Sequence, residues 1–117
     1  MSTTRLRGRV VVVKFFADYC APCKYTLPAV ERLHEKYPDF AFIGVSEDER
    51  VATAARLVQQ FHLTFPVVLD RGNVLAGRFR VSAMPATFVV DRRGVVRWVG
   101  GPAQTEAELA QALAALE

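Results

Sequence analysis

The stretch Val10–Leu27, V-V-V-V-K-F-F-A-D-Y-C-A-P-C-K-Y-T-L, decides how the rest of the chain is read. An apolar, β-branched run leads to Cys20, and a helical pattern follows Cys23. Val10 to Phe16 is too uniformly apolar for a half-exposed strand and reads as a central strand covered on both faces. The cysteines therefore fall where a buried strand gives way to a helix N-terminus. A first helical turn leaves backbone N–H groups unpaired and carries positive partial charge, which favours a thiolate over a thiol. Pro22 suits that turn, because its missing N–H would have no intrahelical partner there. With only Ala21 and Pro22 between them, the two sulfurs can reach each other and cycle between dithiol and disulfide.

Two blander readings of C-x-x-C compete with redox chemistry. Half of a zinc site would need two further ligands, and the chain offers only His34 and His62, on separate predicted helices and without H-x-x-x-H spacing. A merely structural disulfide would close a loop too small to stabilise much. The strand-turn-helix context favours a redox pair, with no metal.

Outward from this stretch, apolar and polar residues alternate in an orderly way. A helix from Cys20 to Tyr37 presents Leu27, Val30, Leu33 and Tyr37 on one stripe and ends before Pro38. Phe40 to Val45 is a second buried strand. Ser46-Glu47-Asp48-Glu49 reads as the acidic first turn of another helix, with Val51, Ala54, Val58 and Phe61 as its apolar face. Phe65 to Leu69 is a short third strand, Arg71-Gly72-Asn73 a turn, and Val74 to Phe79 a turn or two of helix. Ala86 to Val90 and Val95 to Val99 flank Asp91-Arg92-Arg93-Gly94 and read as an antiparallel hairpin. Thr105-x-x-Glu108 is a capping box opening a last helix, with Leu109, Leu113 and Leu116 inward. Met1 to Gly8 reads as a fraying lead-in. Early β-α alternation implies parallel strands with right-handed crossovers, and the hairpin adds antiparallel ones. The expected fold is α/β, a mixed central sheet with helices on both faces, in one domain over residues 1–117.

Composition excludes several classes. Hydrophobic residues make up 51% of the 117 and charged residues 23%, the balance of a globular domain with a core of its own. The net charge of +3 is mild, and the arginines are scattered rather than gathered into a basic stripe, which argues against nucleic acid. No apolar run approaches the roughly 18 residues of a membrane span, and Lys14 interrupts the only N-terminal candidate for a signal peptide. As written the chain reads as cytoplasmic, and as periplasm-facing if an N-terminal anchor once preceded it.

F-F-A-D-Y-C-A-P-C-K resembles the active-site segment of the thioredoxin superfamily, where W-C-x-P-C-K is usual, with Tyr19 standing in place of the tryptophan. Pro28 matches the proline those proteins carry in the following helix. L-R-G-R-V-V-V-V-K-F-F-A, V-S-E-D, F-H-L-T-F-P-V-V-L-D and P-A-T-F-V-V-D-R-R-G-V-V-R-W-V-G-G resemble the TlpA-like, cytochrome-maturation type of bacterial thiol-disulfide oxidoreductase. The resemblance runs from Leu6 to the closing hairpin, without that group's N-terminal β-hairpin. It implies a thioredoxin-like fold and a protein-disulfide reductase, probed by protein substrates and recharged by a dithiol donor protein. No cofactor beyond the Cys20–Cys23 disulfide is implied, and a monomer is expected.

Residue by residue, Cys20 would attack as the thiolate and Cys23 would resolve the mixed disulfide, while Tyr19, Ala21, Pro22, Met84 and Pro85 would meet the substrate. From the residues alone Pro85 is either an ordinary strand-start proline or something special, since central strands exclude proline. The resemblance implies a cis Met84–Pro85 bond, with the Met84 backbone left to pair with an extended substrate. Glu47 falls where the group holds a glutamate near the cysteines, although Asp48 and Glu49 could equally fill a helix-start role. Lys14 replaces the buried aspartate that thioredoxins carry at this spacing. A buried lysine needs a partner, so it either snorkels out or meets a carboxylate, and Glu47 is the expected one. Two rival classes are a peroxidase of the peroxiredoxin group, whose T-x-x-C context is missing, and a binding or chaperone module without turnover.

Overall fold

The computed structural model describes residues 8–117, so the Met1–Gly8 lead-in lies almost wholly outside the described residues. The elements run β1 (Val11–Phe16), α1 (Cys23–Lys36), β2 (Ala41–Ser46), α2 (Val51–Gln60), β3 (Val67–Leu69), a single 3-10 turn at Arg71–Asn73, α3 (Val74–Arg78), β4 (Ala86–Val90), β5 (Val96–Gly100) and α4 (Glu106–Ala114). Among the described residues five strands form one mixed sheet in the order β3-β2-β1-β4-β5. β1 pairs parallel with β2 and antiparallel with β4, so it is hydrogen-bonded on both edges. All six of its residues are buried, as its uniform apolarity requires.

Strand periodicity sorts the core into two layers. Val10, Val12 and Phe16 join Leu27, Val30 and Leu33 of α1, Leu57 of α2 and Leu109 and Leu113 of α4 on one face. Val11, Val13 and Phe15 join Phe88 of β4 on the other, against Leu75 and Phe79 of α3. Helices thus cover both faces, three on one and a short one on the other. Because α3 is brief, the second face keeps an open apolar cleft of about 890 Å³ floored by Val11, Val13, Ile43 and Val45.

Several boundaries differ from the sequence expectation for physical reasons. α1 begins at Cys23, with Pro22 as its N-cap, rather than at Cys20. The acidic run does not open α2. Ser46 still belongs to β2, Arg50 is the N-cap, and the first turn of α2 holds no acid. Asp48 is instead taken by the Ser46 hydroxyl (2.9 Å) and the Asp18 N–H (3.0 Å). Val51 is exposed, and Leu57, absent from the expected apolar face, is wholly buried. The α4 capping box is present as expected, with Glu108 N–H donating to the Thr105 hydroxyl and the Glu108 carboxylate accepting from Thr105 N–H.

Gly44 shows how tightly the α1 face is filled. It pairs with Lys14 across the β1–β2 ladder, and a Cβ there would come within 2.9 Å of the Phe65 ring and 3.0 Å of the Phe16 ring. Gly44→Ala should destabilise the protein by about 1–3 kcal/mol through overpacking. Urea unfolding checks this, and a neutral substitution would mean that the rings yield freely.

Candidate active site

Cys20 and Cys23 form a disulfide with a Cα–Cα distance of 5.4 Å. β1 delivers the chain to this point, and Cys20 N–H donates to Ala17 O, closing a turn. Cys23 N–H donates to Cys20 O and Lys24 N–H to Ala21 O as α1 begins. Cys23 is wholly inaccessible, whereas Cys20 keeps 7% of its surface in solvent. Around the bond, Tyr19, Ala21 and Pro22 are exposed, Tyr19 by 72%. The asymmetry is that of an outer and an inner sulfur.

Two other segments frame the cysteine loop. The Met84–Pro85 peptide bond is cis. β4 starts at Ala86 opposite Phe15, so Pro85 stands at the end of the sheet where β1 passes into the loop. Met84 is half-buried against the α1-side core, while Ser82 and Ala83 are exposed. On the other flank, Asp18 bridges Arg56 (2.8 Å) and Lys24 (3.6 Å), and Asp48 holds the Asp18 N–H. These braces fix the loop from α1, α2 and the end of β2.

The expected Lys14–Glu47 pair is not formed. Lys14 lies on the α1 face with Phe16, and its in-register neighbours on that face are Gly44 and Thr87. It is completely buried, and its Nζ donates to Thr26 Oγ1 at 2.5 Å. Thr26 in turn donates to Cys23 O at 3.2 Å. The lysine does not snorkel and finds no carboxylate among the described residues, and burial pushes its pKa down to about 7.

Glu47 follows Val45 by two residues and turns to the α3 face. Its N–H donates to Phe16 O (2.9 Å), and its carboxyl meets Asp70. Asp70 is buried; against that burial, the N–H groups of Leu75 and Ala76, together with Glu47, hold it below the usual carboxylate range. One Glu47 oxygen, Oε2, is buried without a donor among the described residues. Two carboxylates side by side share a hydrogen bond only if one is protonated, and Glu47 is the one: burial first, then Asp70, push it up to about 7. Tyr19 is near enough that partial burial and the charges of Glu47, Asp48 and Glu49 raise its phenol. Glu47 therefore borders the site from the Tyr19 side while Lys14 underlies it from the α1 side.

Sequence reasoning missed Thr26, Asp48 and Asp70. For Thr26 the available signal was a hydroxyl one turn beyond Cys23, adjoining the apolar stripe. Among the described residues there is no group of three or more His, Cys, Asp or Glu that could hold a metal, and no helix is long and apolar enough to cross a membrane.

Comparison with known proteins agrees with this geometry. The AhpC/TSA family model matches residues 1–99. The chain belongs to that family. It is 31% identical over 93 residues to the thiol-disulfide oxidoreductase ResA of Bacillus cereus, a match covering 78% of this chain and 54% of that relative. The chain thus spans about half the length of the relative. Among solved structures, Mycobacterium tuberculosis DsbF superposes with a TM-score of 0.88 at 27% identity, covering 97% of this chain and 84% of that one. A secreted disulfide oxidoreductase of the same organism, homologous to DsbE, superposes with a TM-score of 0.90 over 99% of this chain and 88% of that one, at 24% identity. The thioredoxin-like fold and the resemblance to bacterial thiol-disulfide oxidoreductases both stand.

Lys14 and Glu47 give stability a distinctive pH profile. Between pH 4.5 and about 7 the folded protein keeps a Glu47 proton that the unfolded chain has lost, so stability falls as pH rises. Between about 7 and 10.5 the unfolded chain holds a Lys14 proton that the folded protein lacks, so stability rises, by on the order of 5 kcal/mol in full. Their joint contribution has its minimum near neutral pH. Urea midpoints of the oxidised protein should show both limbs, with Lys14→Met flattening the upper and Glu47→Gln the lower. A profile indifferent to both substitutions would mean that neither group is desolvated.

Proposed function

We propose that this chain is a thiol-disulfide oxidoreductase that exchanges electrons with protein disulfides through Cys20. The observation that carries this reading is the Cys20–Cys23 disulfide at the N-terminus of α1, with Cys20 keeping 7% of its surface in solvent and Cys23 wholly inaccessible. In the reducing direction, the Cys20 thiolate attacks a substrate disulfide, forms a mixed disulfide and expels one substrate thiolate. Cys23 then attacks Cys20 Sγ, the internal disulfide closes and the second substrate thiolate leaves. Two electrons pass from the cysteine pair to the substrate, and a dithiol protein returns them. We favour reduction over oxidation on the resemblance to the TlpA-like group, and we read the chain as acting as a monomer.

Recognition would fall to the exposed rim. Tyr19, Ala21 and Pro22 offer an apolar surface beside the outer sulfur, and Met84, outside the β4 ladder beside Pro85, offers a backbone edge for an extended chain. Glu47, protonated near neutral pH, is suited to return a proton to a departing substrate thiolate.

Iodoacetamide should label Cys20 and spare Cys23 in the reduced protein at neutral pH. Cys23→Ser should accumulate a mixed disulfide with a protein substrate, and Cys20→Ser should lose insulin reduction in the presence of dithiothreitol. Alkylation chiefly at Cys23 would reverse the roles, and insulin reduction no faster with the unaltered protein than with Cys20→Ser would favour a non-catalytic binding module. Tyr19→Ala should reduce the rate with protein disulfides on the order of tenfold while changing the rate with glutathione disulfide little. Equal losses with both would remove Tyr19 from the docking surface.

A further inference from the structure

Asp18 is an awkward acid for a chain whose chemistry needs a thiolate two residues later. A carboxylate beside a thiol opposes its ionisation and slows its attack. The neighbouring acids add to the difficulty. Glu47, Asp48 and Glu49 follow β2 and border the same loop, and partial burial together with their charges raises the phenol of Tyr19. Tyr19 adjoins Cys20, so the negative field that acts on the phenol also reaches the outer sulfur. Against that field stand the N-terminus of α1 and two cations. Lys24 approaches from the first turn of α1, with Nζ 3.6 Å from Asp18 Oδ1. Arg56 reaches across from α2, with Nη2 2.8 Å from Asp18 Oδ2. Lys14 lies beneath on β1, turned towards Thr26, and the Ser82–Pro85 segment on the remaining side carries no charged residue.

The backbone explains why Asp18 stands where it does. Ala17 O accepts the Cys20 N–H at 3.1 Å, so Asp18 is the second residue of the turn that presents Cys20. Its own N–H donates to Asp48 Oδ1 at 3.0 Å, and the buried Asp48 is held in turn by the Ser46 hydroxyl at 2.9 Å. The Asp18 carboxylate is therefore fixed beside the cysteine loop from the end of β2. Arg56 is different, because Asp18 alone holds it. Among the described residues its guanidinium makes no other ion pair and no other hydrogen bond, and its side chain is mostly exposed. An exposed pair of this kind adds little to stability, so holding α2 in place does not account for it. We propose that Arg56, gripped by Asp18, cancels the charge of that acid beside Cys20 and so keeps the attacking sulfur reactive. Lys24 shares the carboxylate from the opposite helix, but at the longer distance it leaves most of the neutralisation to Arg56. Arg56 and Asp18 are positioning residues: Asp18 places the guanidinium, and the guanidinium acts on Cys20 through its charge.

This inference rests on Cys20 being the attacking thiol, and one experiment separates the two claims. Reduced protein is alkylated with iodoacetamide across the pH range, and the modified cysteine is identified by mass. The reagent is uncharged, so its rate follows the thiolate fraction and not the steering of a charged substrate. Labelling chiefly at Cys23 in the unaltered protein overturns the role assignment itself, before Arg56 is considered. With the label on Cys20, Arg56→Met should raise the midpoint of the rate–pH profile by about half a pH unit. Below the midpoint that shift slows labelling about threefold. Arg56→Lys should retain most of the unaltered midpoint, because the positive charge remains. Asp18→Asn removes the acid and releases the arginine together, so its midpoint should stay near the unaltered value. On that background Arg56→Met should add little, because a guanidinium no longer gripped swings into solvent. A pair that merely braced α2 would alter the urea midpoint and leave the alkylation midpoint in place. An unmoved alkylation midpoint in Arg56→Met, or a shift of equal size with and without Asp18→Asn, overturns the proposal.

Discussion

A strand hydrogen-bonded on both edges cannot rotate, and the arrangement around the cysteines depends on that constraint. β1 is locked by β2 on one side and β4 on the other, so each of its side chains is committed to one face. Even-numbered residues point to α1 and odd-numbered ones to α3. At its end the chain has only Ala17 to Tyr19 in which to turn before Cys20, and it enters α1 at Cys23. The outer sulfur, the inner sulfur and the buried amine all take their positions from that one strand. The same parity separates Lys14 from Glu47 although both border the site.

Much of this was legible in the sequence because the signals were strong and local. The uniform β-branched run of β1, the period of the α1 stripe and the Thr105–Glu108 capping box each reflect a single dominant interaction. The start of α2 was not legible. Ser46-Glu47-Asp48-Glu49 has the composition of a helix start, but β2 runs on through Ser46, and Asp48 is more use as a brace on the cysteine loop. Composition near a helix gave no sign of that tertiary demand. The partner of Lys14 was illegible for a related reason. Charge arithmetic pointed to a carboxylate, whereas what fits beneath α1 is a hydroxyl one turn past Cys23, and only the packing angle of helix on strand brings Thr26 there.

Two groups near the cysteines share a common physical cause. Lys14 and Glu47 are both brought towards neutral pH by desolvation, one from above and one from below. Each is kept away from the partner that would return it to its usual range. Glu47 meets another carboxylate and Lys14 meets a hydroxyl. Groups held in this way weaken the fold, and perturbed titratable side chains gather where proton transfer is needed.

The proposed function requires Cys20 and Cys23 to act as one two-electron couple. It is tested most directly by equilibrating the protein with glutathione redox buffers, quenching in acid and measuring the fraction of each thiol state by mass. A single reversible transition between dithiol and internal disulfide is expected, with the two cysteines changing together and little glutathione left attached. Stable glutathione adducts on Cys20 with Cys23 still reduced, or a disulfide that no buffer opens, would contradict it.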